Sequence, residues 1–441
     1  MSENTGAMPS RKYAWYTVIL LTLVYVNSFV DRYILGLLVG PIKADLGLSD
    51  TQIGLLLGPA FAIFYVTMGI PLGWLADRKP RTIIVGIGAT LWSLATAASG
   101  LAKSFTHLFI ARICVGVGEA TISPCALSII GDSFPAKERG KPVAFYSAAV
   151  SIGAGIASLV GATIIGWSRT VDNLSFPFVG EVAPWQFAFL VVGLVGIPFA
   201  FLLFTLKEPA RQETQGLTQH SKDGKAGIKD AFGFMWRNKS LYLGFVGLVC
   251  IMTTVAYSQT WMPVTFERTW GWAPEKFALL NGLALIIIGP ITVNLSGWWS
   301  DKLSAKGKAD APVSIVVTGA LIMIPLSFLG PLLPNPYLAF ATLMLGTTGI
   351  AMISAAAPTA LLNITPGEIR GQVVAVYFLI ISLTGLVLGP MTVGLLNDLV
   401  LGESGARYSV AIVPLLYGLP VLLLGRKSIK AYRQHVNRQS S

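Results

Sequence analysis

The stretch Pro135-Ala136-Lys137-Glu138-Arg139-Gly140-Lys141-Pro142-Val143-Ala144-Phe145-Tyr146 returns 231 residues later as Pro366-Gly367-Glu368-Ile369-Arg370-Gly371-Gln372-Val373-Val374-Ala375-Val376-Tyr377, with six of the twelve positions identical. A second pair, Gly73-Trp74-Leu75-Ala76-Asp77-Arg78 and Gly297-Trp298-Trp299-Ser300-Asp301-Lys302, keeps the glycine, the first tryptophan and the aspartate. Each copy falls in or just before a polar gap between apolar runs, at equivalent places in the two halves of the chain. Self-similarity of this kind marks a duplicated unit. Apolar runs at 14–38, 51–76, 82–102, 106–131, 143–167 and 184–206 precede a polar stretch at 207–239. Six more follow at 240–266, 275–300, 312–332, 336–363, 371–398 and 408–425. Each approaches or exceeds the ~20 apolar residues that a helix needs to cross a bilayer. The expected fold is an all-α integral membrane protein of twelve transmembrane helices in two pseudo-symmetric six-helix bundles, 1–206 and 240–441. The linker 207–239 joins them, with a short interfacial helix expected from Ile228 to Trp236.

Composition supports membrane residence. Of 441 residues, 54% are hydrophobic and only 12% charged, about half the usual charged share of a soluble domain. This excludes a soluble enzyme, a disordered chain and a disulfide scaffold. The net charge of +11 resembles a nucleic-acid footprint until it is sorted by side. With the N-terminus inside, the inside segments hold 24 of the 32 Lys and Arg and the outside segments six, which is the positive-inside bias of a multi-pass protein. Both termini are therefore expected in the cytoplasm and the protein in the inner (plasma) membrane. The first apolar run reads as an uncleaved transmembrane helix rather than a signal peptide.

Several chemistries find no support. Cys114, Cys125 and Cys250 lie in apolar runs without ligand spacing, and His107, His220 and His435 fall in loops or tails. No metal site, cofactor or nucleophile with its base is expected, hence no enzyme. Gly86-x-Gly88, Gly116-x-Gly118 and Gly153-x-Gly155 follow no strand, so they are read as close-packing sites rather than phosphate loops. Ser147 through Gly161 is the best of these, with close packing against the eighth span expected. Pro124, Pro290, Pro358 and Pro390 are expected to kink their helices. Nothing suggests oligomerisation, so a monomer is expected.

Gly73-x-x-x-Asp77-Arg78-x-x-Arg81 resembles the inside-loop signature of the major facilitator superfamily, and the resemblance covers nearly the whole chain. It departs at Pro80, where that family usually has glycine, and it lacks the final basic residue after Arg81. The resemblance implies a secondary transporter working by alternating access, with its substrate site between the halves. Asp77 would meet the start of the eleventh span near Gly371, where helix N–H groups are unpaired and the dipole is positive. Arg139 would clamp that carboxylate, and Asp301 with Arg370 would form the mirrored pair. The gating candidates are Gly73, Asp77, Arg78, Arg81, Arg139, Asp301 and Arg370; that these charges merely mark a solvated loop is the alternative.

Charge inside a membrane is expensive and usually functional. Only Asp31, Arg32, Arg112 and Glu119 lie well inside spans, all in the first half. At ~1.5 Å per residue their depths agree, so an Asp31–Arg112 or an Arg32–Glu119 contact is sterically sensible. Arg112 and Glu119 are seven residues apart and share a helix face. A carboxylate near mid-membrane can take a proton on one side and release it on the other, which makes Glu119 the first candidate for proton coupling and Asp31 the second. A structural salt bridge locking the first span to the fourth is the competing reading.

Asn27-Ser28-Phe29-Val30-Asp31-Arg32-Tyr33 and Arg112-Ile113-Cys114-Val115-Gly116-Val117-Gly118-Glu119-Ala120-Thr121 resemble the corresponding regions of Spinster-like transporters, as does Lys207-Glu208-Pro209-x-Arg211. That resemblance implies movement of lysophospholipids or sphingoid phosphates with protons. The residues fit an amphipathic anion whose head meets Arg32 or Arg112 and whose tail lies along Tyr257, Met262, Tyr377 and Phe378. Tyr33 and Ser123, with Thr254 and Ser258, complete the candidate substrate contacts. A proton-coupled transporter of a small organic anion such as a sugar acid is the alternative, and a lipid scramblase or channel is the alternative from another class.

Overall fold

A computed structural model describes residues 8–76, 78–135, 138–168, 170, 174–176, 180–211, 228–308, 310–366 and 369–440. Among them, eleven helices are long and apolar enough to cross a membrane, and a bent pair supplies a twelfth span when its members are joined. The spans are α1 (Arg11–Leu37), α2 (Asp50–Ala76), α3 (Arg81–Ser99), α4 (Phe105–Ser133), α5 (Lys141–Trp167), α6 (Pro184–Phe204), α7 (Lys239–Trp270), α8 (Pro274–Ala305), α9 (Ala311–Leu332), α10 (Pro336–Asn363) and α11 (Gln372–Leu401). The last is divided into α12 (Ala406–Gly418) and α13 (Val421–Ser440). The run expected at 408–425 as one helix therefore bends by 40° at a break, with Pro420 standing in the gap.

Local sequence sets the ends. Ser49 and Gln52 form a capping box at the start of α2, Gln52 N–H donating to Ser49 Oγ at 3.2 Å and Ser49 N–H to Gln52 Oε1 at 2.9 Å. Asn335 caps α10 through hydrogen bonds from the N–H groups of Tyr337 and Leu338. The short helix Ile228–Arg237 lies where the interfacial helix was expected. A small hairpin between α5 and α6, β1 (Leu174–Phe176) with β2 (Gly180–Val182), was not foreseen.

The fourth span is broken in the middle. Its halves are Phe105–Glu119 and Ile122–Ser133. Pro124 has no N–H to give the carbonyl of Ala120, and its ring crowds that carbonyl. The helix therefore parts four residues ahead of the proline and leaves Glu119 as the last residue of the first half. Helix α3 passes against this break. A Cβ at Gly88 would lie 2.1 Å from Thr121 Oγ1 and 2.7 Å from the Gly118 carbonyl, so only glycine fits.

The chain forms two compact units: Met1–Leu48, Pro59–Lys225 and Pro274–Ile286 in the first, Ser49–Gly58, Ala226–Ala273 and Ile287–Ser441 in the second. In the first unit α1 packs on α5, α3 on α6, and α4 on both α2 and α3, with Trp92, Phe61 and Phe189 fully buried. The start of α8 joins this unit by the close packing expected of α5. A Cβ at Gly155 would fall 2.9 Å from the Gly282 carbonyl, and Asn281 Nδ2 donates to Ser158 Oγ at 3.1 Å. In the second unit α7 packs on α11 and α9 on α10, around Trp261, Tyr242, Phe245 and Phe266. The segment Ser49–Gly58 lies against α11 there, so tightly that a Cβ at Gly58 would meet the Leu386 carbonyl at 2.2 Å.

That segment carries an ion pair in the second unit. Asp50 is fully buried and is held by Arg268 through two hydrogen bonds of 2.5 and 2.9 Å. Asn397 Nδ2 adds a third at 2.8 Å. Asp398 in turn accepts from the backbone N–H groups of Asp50 and Thr51 at the helix start. Arg268 stands two residues beyond the apolar run 240–266, but α7 continues to Trp270 and carries it into this cluster.

Candidate functional site

The four span charges converge in the first unit. Arg32 Nε donates to Glu119 Oε2 at 2.5 Å, and its Nη2 lies equally near that oxygen without the alignment of a hydrogen bond. Glu119 is fully buried and its second oxygen, Oε1, has no hydrogen-bond partner. The pair joins α1 to the break in α4, where a cation beside the last turn of Phe105–Glu119 also complements the helix dipole. Of the two contacts judged sensible from depth, this one forms with side chains on both sides.

The other takes a different form. Arg112 Nη1 donates to the backbone carbonyl of Asp31 at 3.2 Å, not to its carboxylate. Asp31 is fully buried, and both its oxygens lack a hydrogen-bond partner. The Thr96 hydroxyl of α3 is the neighbouring polar group to its carboxylate. Ser93 Oγ, Trp92 Nε1 and Arg112 Nε are likewise buried and unbonded. Buried polar groups normally find partners, and these lie together around Asp31 on α1, α3 and α4.

Aromatic rings enclose the cations. The Arg32 guanidinium lies 5.4 Å from the centre of the Phe29 ring, 4.8 Å from Phe61 and 4.9 Å from Tyr65, and Arg112 lies 5.5 Å from Phe61. Such contacts contribute from ~0.5–1 kcal/mol at exposed sites to ~2 kcal/mol or more when desolvated. Tyr25 stacks on Tyr146 at 5.0 Å, and the Tyr146 hydroxyl points toward Ser123 without completing a hydrogen bond. The sequence reading missed Tyr25, Phe29, Phe61, Tyr65, Thr96 and Tyr146. Phe29 and Tyr25 stand three and seven residues before Arg32, on its face of the helix, which was a usable signal. Tyr146 ends the repeated stretch, and its counterpart Tyr377 likewise stacks on an aromatic of its own unit, Phe245, at 6.2 Å.

The remaining candidates are dispersed. Tyr33 is 37% exposed, next to Arg32 in sequence but outside the buried cluster. In the second unit Thr254, Ser258, Met262 and Tyr377 are buried. The hydroxyls of Thr254 and Ser258 are spent on the carbonyls of Cys250 and Val255. Tyr257 is half-buried, and Phe378, 46% exposed, packs edge-on against Tyr377.

Among the gating candidates, Asp77 lies outside the described residues, as do the side chains of Asp301 and Arg370. Arg139 donates to the Phe134 carbonyl at 3.1 Å, Arg78 covers the Trp74 ring at 4.0 Å, and Gly73 has open space around it. Arg81 is buried at the start of α3 in a network the sequence did not announce. It binds Glu208 at 2.6 Å, Ser128 Oγ at 2.7 Å, the Pro209 carbonyl at 3.0 Å and Asp132. Arg211 donates to the Ala76 and Lys79 carbonyls nearby. Five donors in a planar fork suit arginine to such a junction, which ties the ends of α3, α4 and α6.

The sequence profile of the Major Facilitator Superfamily matches residues 21–427. The chain belongs to the Major Facilitator Superfamily. Within it, an "MFS-type efflux pump" of Mycolicibacterium smegmatis is 28% identical over 89% of this chain and 87% of that protein. "Protein spinster" of Drosophila melanogaster is 26% identical over 73% of this chain, which spans about half (52%) of the fly protein. Among solved structures, a bacterial homolog to the human lysosomal transporter Spinster, in an inward-facing and unoccupied conformation, superposes with a TM-score of 0.75 at 27% identity, covering 97% of this chain and 94% of that one. The likeness to Spinster proteins expected from the first, fourth and sixth spans is thus borne out. This superfamily member is a multi-pass membrane transporter of a small molecule, not an enzyme.

Proposed function

We propose that the transporter moves an amphipathic, lipid-like anion, a lysophospholipid or sphingoid phosphate, across the inner membrane by alternating access and in exchange with or alongside protons. Both termini face the cytoplasm in this reading, as the charge bias requires. The observation that carries it is the pairing of Arg32 with Glu119 inside an aromatic cage, beside an Asp31 carboxylate with no bonded partner. By formal charge, Arg32 and Arg112 balance Glu119 and Asp31.

An anionic head that draws Arg32 away leaves Glu119 without its cation. An unpaired charge at that depth is costly, and taking up a proton removes the cost. Substrate and proton binding are linked in this way, with Glu119 as the coupling carboxylate and Asp31 as the second. The rings of Phe29, Phe61 and Tyr65 provide an apolar collar for the segment next to the head.

Ligand-induced thermal stabilisation of the purified protein tests the substrate class. Stabilisation by lysophospholipids or sphingosine phosphate, lost in Arg32→Gln, is expected. Stabilisation by a hexonate and by none of the lysolipids would replace this reading with a sugar-acid transporter, the activity named for the probable L-galactonate transporter of Escherichia coli, 27% identical over 66% of this chain and 62% of that protein.

A further inference from the structure

Helix α8 leaves one face uncovered where it runs into its loop. Leu295, Trp298, Trp299, Lys302, Leu303 and Lys306 follow at spacings of three and four, so they form one stripe, and they line a groove of about 440 Å³. Trp298 is 61% exposed and Leu295 59%. The Lys302 ammonium lies 4.7 Å from the centre of the Trp298 ring, and Lys306 is exposed beyond it. The chemistry changes along the stripe from aliphatic, through two indoles, to two ammonium groups one turn apart. Indoles prefer the headgroup level of a bilayer, and long basic side chains reach past them to phosphate.

The first half of the chain contains an internal contrast. Trp74 is 57% exposed with Arg78 over its ring, which is the ordinary interfacial pair. There, however, Leu75 stands where α8 has Trp299, and Thr82 where it has Lys306. Thr82 is already engaged, its hydroxyl bonded to Glu208 at 3.1 Å. The second indole, and a second ammonium one full turn past the first where the other half instead carries Lys79 next to Arg78, distinguish α8.

We propose that this groove binds a diacyl phospholipid with an anionic headgroup, drawn from the bilayer. Lys302 and Lys306 take the phosphate, and Trp298 and Trp299 pack against the glycerol and upper acyl region. Two ammonium groups at one end of an apolar stripe favour an anionic headgroup over a zwitterionic one, whose own cation offsets its phosphate. The site lies on the loop side that the charge bias assigns to the inside, and it shares no residue with the Arg32–Glu119 cluster.

The test uses the full-length protein in detergent micelles, titrated with phosphatidylglycerol or phosphatidylcholine carrying brominated chains, with tryptophan fluorescence quenching as readout. Quenching by phosphatidylglycerol at concentrations about tenfold lower than phosphatidylcholine is expected. Lys302→Gln/Lys306→Gln should abolish that preference, and Trp298→Phe/Trp299→Phe should remove most of the quenched signal. Lys308→Gln/Lys427→Gln, which deletes equal charge outside the groove, should keep the preference. Equal quenching by both lipids, retention of the preference in the Lys302/Lys306 variant, or equal loss in the control variant would overturn the proposal. Displacement of the diacyl lipid by lysophospholipid at substrate concentrations would also overturn it, by making the groove a substrate site. Because the readout is binding of a diacyl lipid, it stands or falls independently of what the protein transports.

Discussion

Arg32 on α1 and Glu119 on α4 meet at 2.5 Å, at the point where a proline-induced break ends the first half of the fourth span. Sequence separates them by 87 residues, and the break sets Glu119 at a helix end rather than in a continuous wall. Three aromatic rings close around the guanidinium, and one carboxylate oxygen is left unbonded.

The cage should matter to affinity in graded fashion. Phe61→Ala removes a ring shared by Arg32 and Arg112, and loss of ~1 kcal/mol of cation–π energy predicts about fivefold weaker substrate binding. Arg32→Gln should weaken it by well over tenfold, and Arg32→Lys should recover only part, because a point charge cannot serve the carboxylate and the rings together. Isothermal titration or thermal-shift titration of the purified variants measures both.

The Asp50–Arg268 pair is expected to hold the Ser49–Gly58 segment in the second unit. Asp50→Asn should destabilise the protein by about 3 kcal/mol, since removing one member of a buried pair strands the other. Replacing both, as Asp50→Asn/Arg268→Met, should cost less than the single change, and thermal unfolding of the three variants in one detergent shows the order.

Acidification should loosen α13 through its Arg433–Asp310 tether. Asp310 accepts from Arg433 Nη2 at 2.9 Å and Nε at 3.3 Å, and from Ser314 at 3.2 Å. Burial alone would push its carboxyl up; the hydrogen bonds from Arg433, its own backbone and Ser314 outweigh that and hold it below the ordinary aspartate range. A carboxyl lowered in the folded state stabilises fully above its unfolded value, ~3.9, and loses that contribution as pH falls through the folded value. Hydrogen exchange of Val421–Ser440, corrected for intrinsic rates, should quicken in that acid window. In Asp310→Asn the tether is gone at every pH and the acid effect should vanish.

At Gly88 the expectation is steric. Gly88→Ala would drive a methyl into Thr121 and the Gly118 carbonyl, disturbing the break that positions Glu119. Transport should fall with folded yield only moderately reduced, and Gly88→Ala/Thr121→Ala should recover part of it, because the side-chain clash is relieved while the carbonyl contact persists.

The charged part of the site was legible in the sequence because a bilayer tolerates so few charges that depth narrows the pairing to Arg32 with Glu119 or Asp31 with Arg112; counting residues along two helices does not choose between them. The aromatic cage was not, since Phe61 and Tyr65 look like any lipid-facing rings until α2 is placed beside α1. Asp50 and Arg268 escaped for a different reason. One is the first residue of its helix and the other lies beyond an apolar run, so both were assigned to water, whereas helix continuation buries them together. Pro124 announced a kink; that the helix would part at Glu119 follows from the carbonyl four residues earlier, which a hydropathy reading does not track. The Arg81 network was hidden by the loop motif that contains it, because its partners Asp132, Ser128 and Glu208 belong to other spans.

The most direct test of the account is uptake of a lysophospholipid into proteoliposomes against its gradient, driven by an imposed pH difference, in the wild type and in Glu119→Gln. The account predicts accumulation by the wild type that collapses when the pH difference is dissipated, and mere equilibration by Glu119→Gln. Full, pH-driven accumulation by Glu119→Gln would contradict it.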